Sequence, residues 1–188
     1  AGGERQGQAV GFLPEGLLEL LADEAARGLV AGDRFWSPVE ERLEDAVLIP
    51  LLASQGLGVR RQVACALPGA QRGRVDLLVD DGPGGPPLTL VESKRQIRGD
   101  DELQRAALQA AAYARALGLG SFVVAAPRGL WLYRCDGAGF RCLRHLSSLE
   151  LAAAPEQLAG LLRQLGAGAS AGHEQPPARR AGRGREGR

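Results

Sequence analysis

The chain has 188 residues, 45% of them hydrophobic, and a formal net charge of +1, which allows one globular domain with some excess and excludes a multidomain motor. Charged residues interrupt every apolar run well before the roughly 20 residues that a membrane-spanning helix needs, so no membrane span is expected. Residues 172–188 carry five arginines against two glutamates, which leaves residues 1–171 at −2; a basic field over the whole chain is excluded, and a nucleic-acid partner would need a local patch, a metal ion or the arginine tail.

In chain order, Leu17, Leu18, Leu20, Leu21, Ala25 and Leu29 fit helical spacing and predict a packing helix over residues 12–29, ended by Gly28 and Gly32. Ser37-Pro38-Val39-Glu40 has the form of a helix start, with serine as cap, proline first and glutamate closing a capping box. That helix runs through Glu44, Val47, Leu51 and Leu52 to Gln55-Gly56. Residues 60–67, 75–80 and 88–92 are β-compatible, and the Gly/Pro-dense segment 81–87 between the last two is a turn, making a hairpin. Asp100-Asp101-Glu102 begins a helix that Gly118 closes. Strands are expected at 121–125 and 130–134, then a last amphipathic helix over 155–165. From Gly166 onward, Gly, Ala, Pro and Arg dominate and a disordered tail is expected. The organisation is thus residues 1–36 as packing helix and linker, 37–165 as the main domain and 166–188 as tail. The fold class is α/β, a mixed sheet flanked by helices.

Three cysteines, Cys65, Cys135 and Cys142, cannot all pair within one chain, and the amino end lacks a basic stretch followed by an apolar one. A reducing cytoplasm is the expected compartment. With no C-x-x-C and only His145 and His173, a zinc site is not expected. Trp36 and Trp131 read as core anchors rather than base-stacking platforms. The arginine tail has two readings, a solubilising end or a phosphate-backbone contact.

Lys94 is the one lysine among 23 basic residues, which singles it out for a task that a planar guanidinium cannot perform. The predicted hairpin register sets Asp76 opposite Glu92, where two bare carboxylates would repel. Strand alternation puts Lys94 on the same face as Glu92 and turns Ser93 the other way. Two carboxylates converging on one point suit a hard cation such as Mg²⁺. The same residues also fit a plain salt-bridge cluster, Glu92 or Asp76 with Lys94, in a protein with neither metal nor DNA.

Gly73-Arg74-Val75-Asp76-Leu77-Leu78-Val79, the Gly/Pro turn and Leu90-Val91-Glu92-Ser93-Lys94-Arg95 resemble the PD-(D/E)xK nuclease core, in particular the amino-terminal nuclease domain of type I restriction-enzyme motor subunits. Gln109-Ala110-Ala111-Ala112-Tyr113 resembles the Q-x-x-x-Y element of that branch, and Pro127-Arg128-Gly129-Leu130-Trp131-Leu132-Tyr133 is similar to its closing strand pair. The likeness spans roughly residues 37–136. It implies a restriction-endonuclease-like sheet and Mg²⁺-dependent hydrolysis of DNA, with Mn²⁺ as substitute. Asp76 and Glu92 would then bind metal, Lys94 would handle the attacking water, and Gln109 with Tyr113 would contact substrate. The family also places a glutamate on the preceding helix; Glu40 is the choice here, with Glu44 as alternative, although Glu40 also suits the capping box. The family's proline is absent, since Arg74-Val75 precede Asp76. No G-x-x-x-x-G-K-[ST] motif occurs, so the nucleotide-driven motor is not in this chain, and a separate specificity or motor subunit is an expected partner. The alternative function is a catalytically silent nuclease-fold module that binds DNA or protein.

Overall fold

The computed structural model describes residues 38–170, together with Asp23. Apart from helical Asp23, the helix read over 12–29 lies outside the described residues, as do Trp36, Ser37 with its capping box, and the arginines of the tail.

The first helical segment has three parts: α1 (Pro38–Leu43), a π-helical turn (Glu44–Leu48) and α2 (Ile49–Ser54). The sequence predicts one regular helix here, and the π turn has a local cause. Pro50 lacks an N–H, and in a regular helix its ring would crowd the carbonyl four residues back. Immediately before it, the Ile49 N–H donates to the Glu44 carbonyl, five residues back. One consequence is that Glu44 itself is buried, at 3% exposure.

Six strands follow: β1 (Gly58–Leu67), β2 (Gln71–Asp80), β3 (Pro87–Ser93), β4 (Ser121–Ala126), β5 (Gly129–Asp136) and β6 (Gly139–Ser147). They form one sheet in sequence order, antiparallel except between β3 and β4. Helix α3 (Asp100–Ala116) makes the crossover that a parallel pair requires. Helices α4 (Ser148–Ala153) and α5 (Glu156–Ser170) complete the described residues. The expected α/β class, a mixed sheet flanked by helices, is what the chain adopts.

The sheet is covered on both faces. On one side Leu43, Val47, Leu51, Leu77, Val91 and Leu162 join the first helical segment and α5 to the sheet. On the other, α3 lays Ala106, Ala107, Ala110, Ala111 and Ala114 against Val75, Leu90, Phe122 and Val124. Alanines allow the helix to approach closely. Each fully buried Val, Leu or Phe contributes about 1.5–3 kcal/mol of apolar transfer, so the central strands β3 and β4 are fixed most firmly.

Three sequence expectations need correction. Pro87 belongs to β3 rather than the turn; as a first strand residue it can forgo a ladder donor. β6 and α4 were not expected. The last helix, expected to end at 165 with a disordered tail from 166, continues to Ser170. Gly166 packs against Leu88 of β3, and a Cβ there would lie 2.7 Å from the Leu88 Cδ2, so this glycine is a point of close helix–strand approach rather than a helix stop.

Candidate active site

The β2–β3 ladder runs in the predicted register through Leu77–Val91, Leu78–Leu90 and Val79–Thr89. A bulge then pairs Asp80 with Pro87 instead of Leu88. At the other end the ladder stops at Leu77–Val91, so Asp76 and Glu92 lie one step beyond the last rung rather than forming one. The Asp76 carboxylate takes over: its Oδ2 accepts from the Ser93 N–H at 2.8 Å. β2 stays paired with β1 as far as Gln71–Leu67, so the two strands part at Asp76 and open a gap at its carboxylate. Opposite Asp76 in β1, Gln62 has φ of +50°, a strained left-handed conformation for a non-glycine residue.

Glu92 and Lys94 share a face as expected. Lys94 Nζ donates to Glu92 Oε1 at 2.6 Å and to Gln109 Oε1 at 3.3 Å, while its backbone N–H is held by the Ala125 carbonyl. Glu92 is only 2% exposed, and its Oε2 is buried with no hydrogen-bond partner. Ser93 turns to the other face, where its buried hydroxyl has no close hydrogen-bond partner but favours the charged form of Glu44.

The two helical glutamates both reach this point from the π-interrupted segment. Glu40 Oε1 accepts from the Arg95 N–H at 2.7 Å, and its charge is felt by Glu92 and Lys94. Glu44 is ion-paired to Arg61 at 3.1 Å, and Arg61 also holds Asp45 at 2.6 Å. Glu44 therefore faces Asp76 with its charge already matched, whereas Glu40 faces the Lys94 side.

Burial, first, and the Asp76 charge, second, raise the Glu92 carboxyl to about 7 despite Lys94. Burial also raises Asp76, against the Ser93 N–H, Lys94 and Gln62, which favour its charged form. Glu40 and Glu44 are raised by burial in the same way. For Lys94 burial works downward, but Glu92, Asp76 and Glu40 outweigh it and hold the ammonium above its ordinary value. The lysine stays charged in a pocket of reluctant carboxylates.

Gln109 and Tyr113 meet one turn apart on α3, with Gln109 Nε2 donating to the Tyr113 hydroxyl at 3.3 Å. The family resemblance assigns both to substrate; in the structure the Gln109 carbonyl accepts from the Lys94 ammonium. Gly73 seats the tyrosine, since a Cβ there would lie 2.5 Å from Tyr113 Cε1 and 3.1 Å from Cys65 Sγ and Leu67 Cδ1. Gly73→Val is therefore expected to lower stability by about 1–3 kcal/mol through overpacking, read as a lower urea midpoint. An unchanged midpoint would mean that Tyr113 is free to swing aside.

Beside the cluster lies a cleft of about 300 Å³ lined by Glu40, Lys94, Arg95, Arg98, Arg105 and Gln109. Trp131 is half-buried and stacks on His145, with ring centroids 4.6 Å apart, away from these residues. Gln62 and Arg61 are neighbours of the site that sequence reasoning missed. Only the Gln62–Asp76 register would have flagged the first of them.

Among the described residues no three His, Cys, Asp or Glu side chains are grouped to hold a metal ion. The donors that do converge, Asp76 and Glu92, are all-oxygen, and one Glu92 oxygen is buried without a partner. That set fits a hard cation that takes one or two carboxylates and keeps several waters.

No family model matches the sequence, and no curated protein matches it. Among solved structures the chain is similar to the cryo-electron microscopy structure of the DrdV–DNA complex, with 16% identity and a TM-score of 0.46 over 79% of this chain. The matched region spans 13% of the DrdV chain. No described helix is long and apolar enough to cross a membrane.

Proposed function

We propose that this protein is a Mg²⁺-dependent DNA endonuclease of restriction or repair type, built on a PD-(D/E)xK core. The observation that carries the reading is the meeting of Asp76, Glu92 and the chain's one lysine at the point where β2 and β3 part. Three sequence segments resembling the nuclease family occur in the family's order around it.

Asp76 and Glu92 are the residues that would hold Mg²⁺, or Mn²⁺ in its place. When bound, such an ion polarises a phosphoryl oxygen and lowers the pKa of its water. The rest falls to the chain. Lys94, held protonated by its carboxylate neighbours and braced by Gln109, offers an ammonium to the charge that develops on the scissile phosphate or to the attacking water. Glu40, fixed by the Arg95 N–H, stands where it can accept a proton or orient water. The cleft arginines receive flanking phosphates. A partner subunit supplying specificity or a motor, and a cytoplasmic setting, belong to the same proposal.

A second reading has its own support. The Lys94–Glu92 contact at 2.6 Å is also what a structural ion pair looks like, and a nuclease fold that binds without cutting would keep it. Supercoiled plasmid incubated with the protein and Mg²⁺ separates the two. Nicking or linearisation that stops with chelator and in Asp76→Asn is expected. DNA binding indifferent to chelator, with no cleavage under any metal, would establish the silent module instead.

A further inference from the structure

The β1–β2 hairpin extends beyond the sheet. Past the Leu77–Val91 rung, β3 no longer accompanies it, yet the two strands stay paired from Val63–Val75 to Leu67–Gln71. This ribbon has two unlike faces. Cys65, Val75, Val63 and Leu67 pack with the α3 layer, and Gly73 meets Tyr113. Strand alternation turns Arg72 and Arg74 to the opposite face, four and two residues before Asp76. Their cross-strand partners there are Ala66 and Ala64, all four residues being exposed.

The arginines of this hairpin divide sharply. Arg60 makes a bidentate pair with Asp80 at 2.7 Å, and Arg61 is paired to Glu44 and Asp45. Arg72 and Arg74 have no ion pair or hydrogen-bonding side-chain partner among the described residues. Two uncompensated guanidinium groups thus stand two residues apart, about 6.6–6.8 Å along the strand, on the stretch of β2 that leads to Asp76. The alanines beside them leave the ribbon surface low, so a bulky chain can lie against it. The opposite edge strand, β6, also shows exposed arginines, but none of the candidate site carboxylates lies on or next to that strand.

We infer that this ribbon face is a track for the sugar-phosphate backbone of DNA, with Arg72 and Arg74 contacting successive phosphates and leading the strand into the gap at Asp76. The inference rests on the endonuclease reading for the identity of the polyanion. The charge complementarity and the continuity with the acidic site are what select DNA backbone over a protein partner. A track of this kind binds without reading sequence.

The test is fluorescence anisotropy of a labelled 20-base-pair duplex in chelator, titrated from 50 to 200 mM salt. Full-length wild type, Arg72→Ala/Arg74→Ala and, as control, Arg141→Ala/Arg144→Ala on β6 are compared. Each phosphate contact adds about 0.9 to the slope of log affinity on log salt. The ribbon variant should therefore bind more weakly at 50 mM with a slope shallower by about 2, and the wild-type advantage should shrink about tenfold by 200 mM. The β6 control should keep the wild-type slope. Equal slopes for wild type and the ribbon variant, or the same loss in both double variants, would overturn the track. Plasmid cleavage by the same proteins in Mg²⁺ keeps the two claims apart. Cleavage that persists with unchanged binding removes the track alone, whereas a wild type that neither binds nor cuts removes the endonuclease reading as well.

Discussion

Lys94→Ala is expected to lower metal-dependent DNA cleavage by about two to four orders of magnitude, the range for a positioned charge or proton-transfer group, with substrate affinity nearly unchanged. The ammonium sits 2.6 Å from Glu92 and 3.3 Å from Gln109, so its position is fixed before substrate arrives. Lys94→Arg is the sharper experiment. A guanidinium keeps the charge but is planar and needs a wider site, and the pocket between Glu92 and Gln109 is shaped for one nitrogen. Arginine should therefore fail to restore more than a small part of the rate. Full activity in Lys94→Arg would show that only net charge matters, and full activity in Lys94→Ala would remove the lysine from the chemistry. Far-UV circular dichroism checks that both variants fold, which is expected because Lys94 is 28% exposed in its side chain and Glu92, left without it, can take up a proton. If Gln109 and Tyr113 brace the ammonium rather than touch DNA, Gln109→Ala should reduce kcat more than it raises KM. The reverse split would return both residues to substrate contact.

The parts of this molecule that could be read from sequence are those with strong local grammar. The Gly/Pro-dense turn fixed the hairpin, and the hairpin register then placed Leu77 against Val91 as found. The acidic first turn and alanine stripe of α3 are equally local. β6 escaped because it is an edge strand, exposed over most of its length, so Arg141, Arg144 and His145 carry no alternating apolar pattern to read. α4 escaped although Ser147 and Glu150 spell a capping box that the structure contains; the helix has six residues, too few for periodicity to register. The bulge at Val79–Asp80 and the π turn are compromises with distant packing and with Pro50, and neither leaves a spacing signature. At the site, residue types and strand faces were legible, since they follow from period two. The parting of β2 from β3 was not, because where a ladder ends leaves no mark in the period-two pattern. Glu40 and Glu44 could not be separated for a related reason: an unseen π turn decides how the second glutamate is delivered.

In chelator, Glu92→Gln is expected to be more stable than wild type at pH 8 and nearly equal to it at pH 5. Glu92 is raised from an ordinary 4.5 to about 7, so the folded protein holds a proton that the unfolded chain has already released. Below the unfolded value both states are protonated and no penalty exists. As the pH climbs, the unfolded chain ionises first and gains, and the difference is complete once the folded carboxyl has also ionised. Two and a half pH units at about 1.36 kcal/mol each give a loss of about 3 kcal/mol across that window. Asp76, Glu40 and Glu44 are raised by the same burial and push in the same direction, which leaves some slope in the variant. Glutamine is close in shape and cannot ionise, so it removes the Glu92 part. The lost charge of Lys94's partner offsets only part of this, since the ammonium keeps Gln109 and is partly exposed. Urea midpoints measured from pH 5 to 8 should therefore fall more steeply for wild type than for Glu92→Gln. Adding Mg²⁺ at pH 8 should restore wild type and leave the variant where it was, because binding to the folded state alone adds stability in proportion to the logarithm of ligand excess. Parallel pH profiles would mean that Glu92 ionises as an ordinary surface carboxyl does, and a Mg²⁺ effect of equal size in both proteins would place the ion elsewhere.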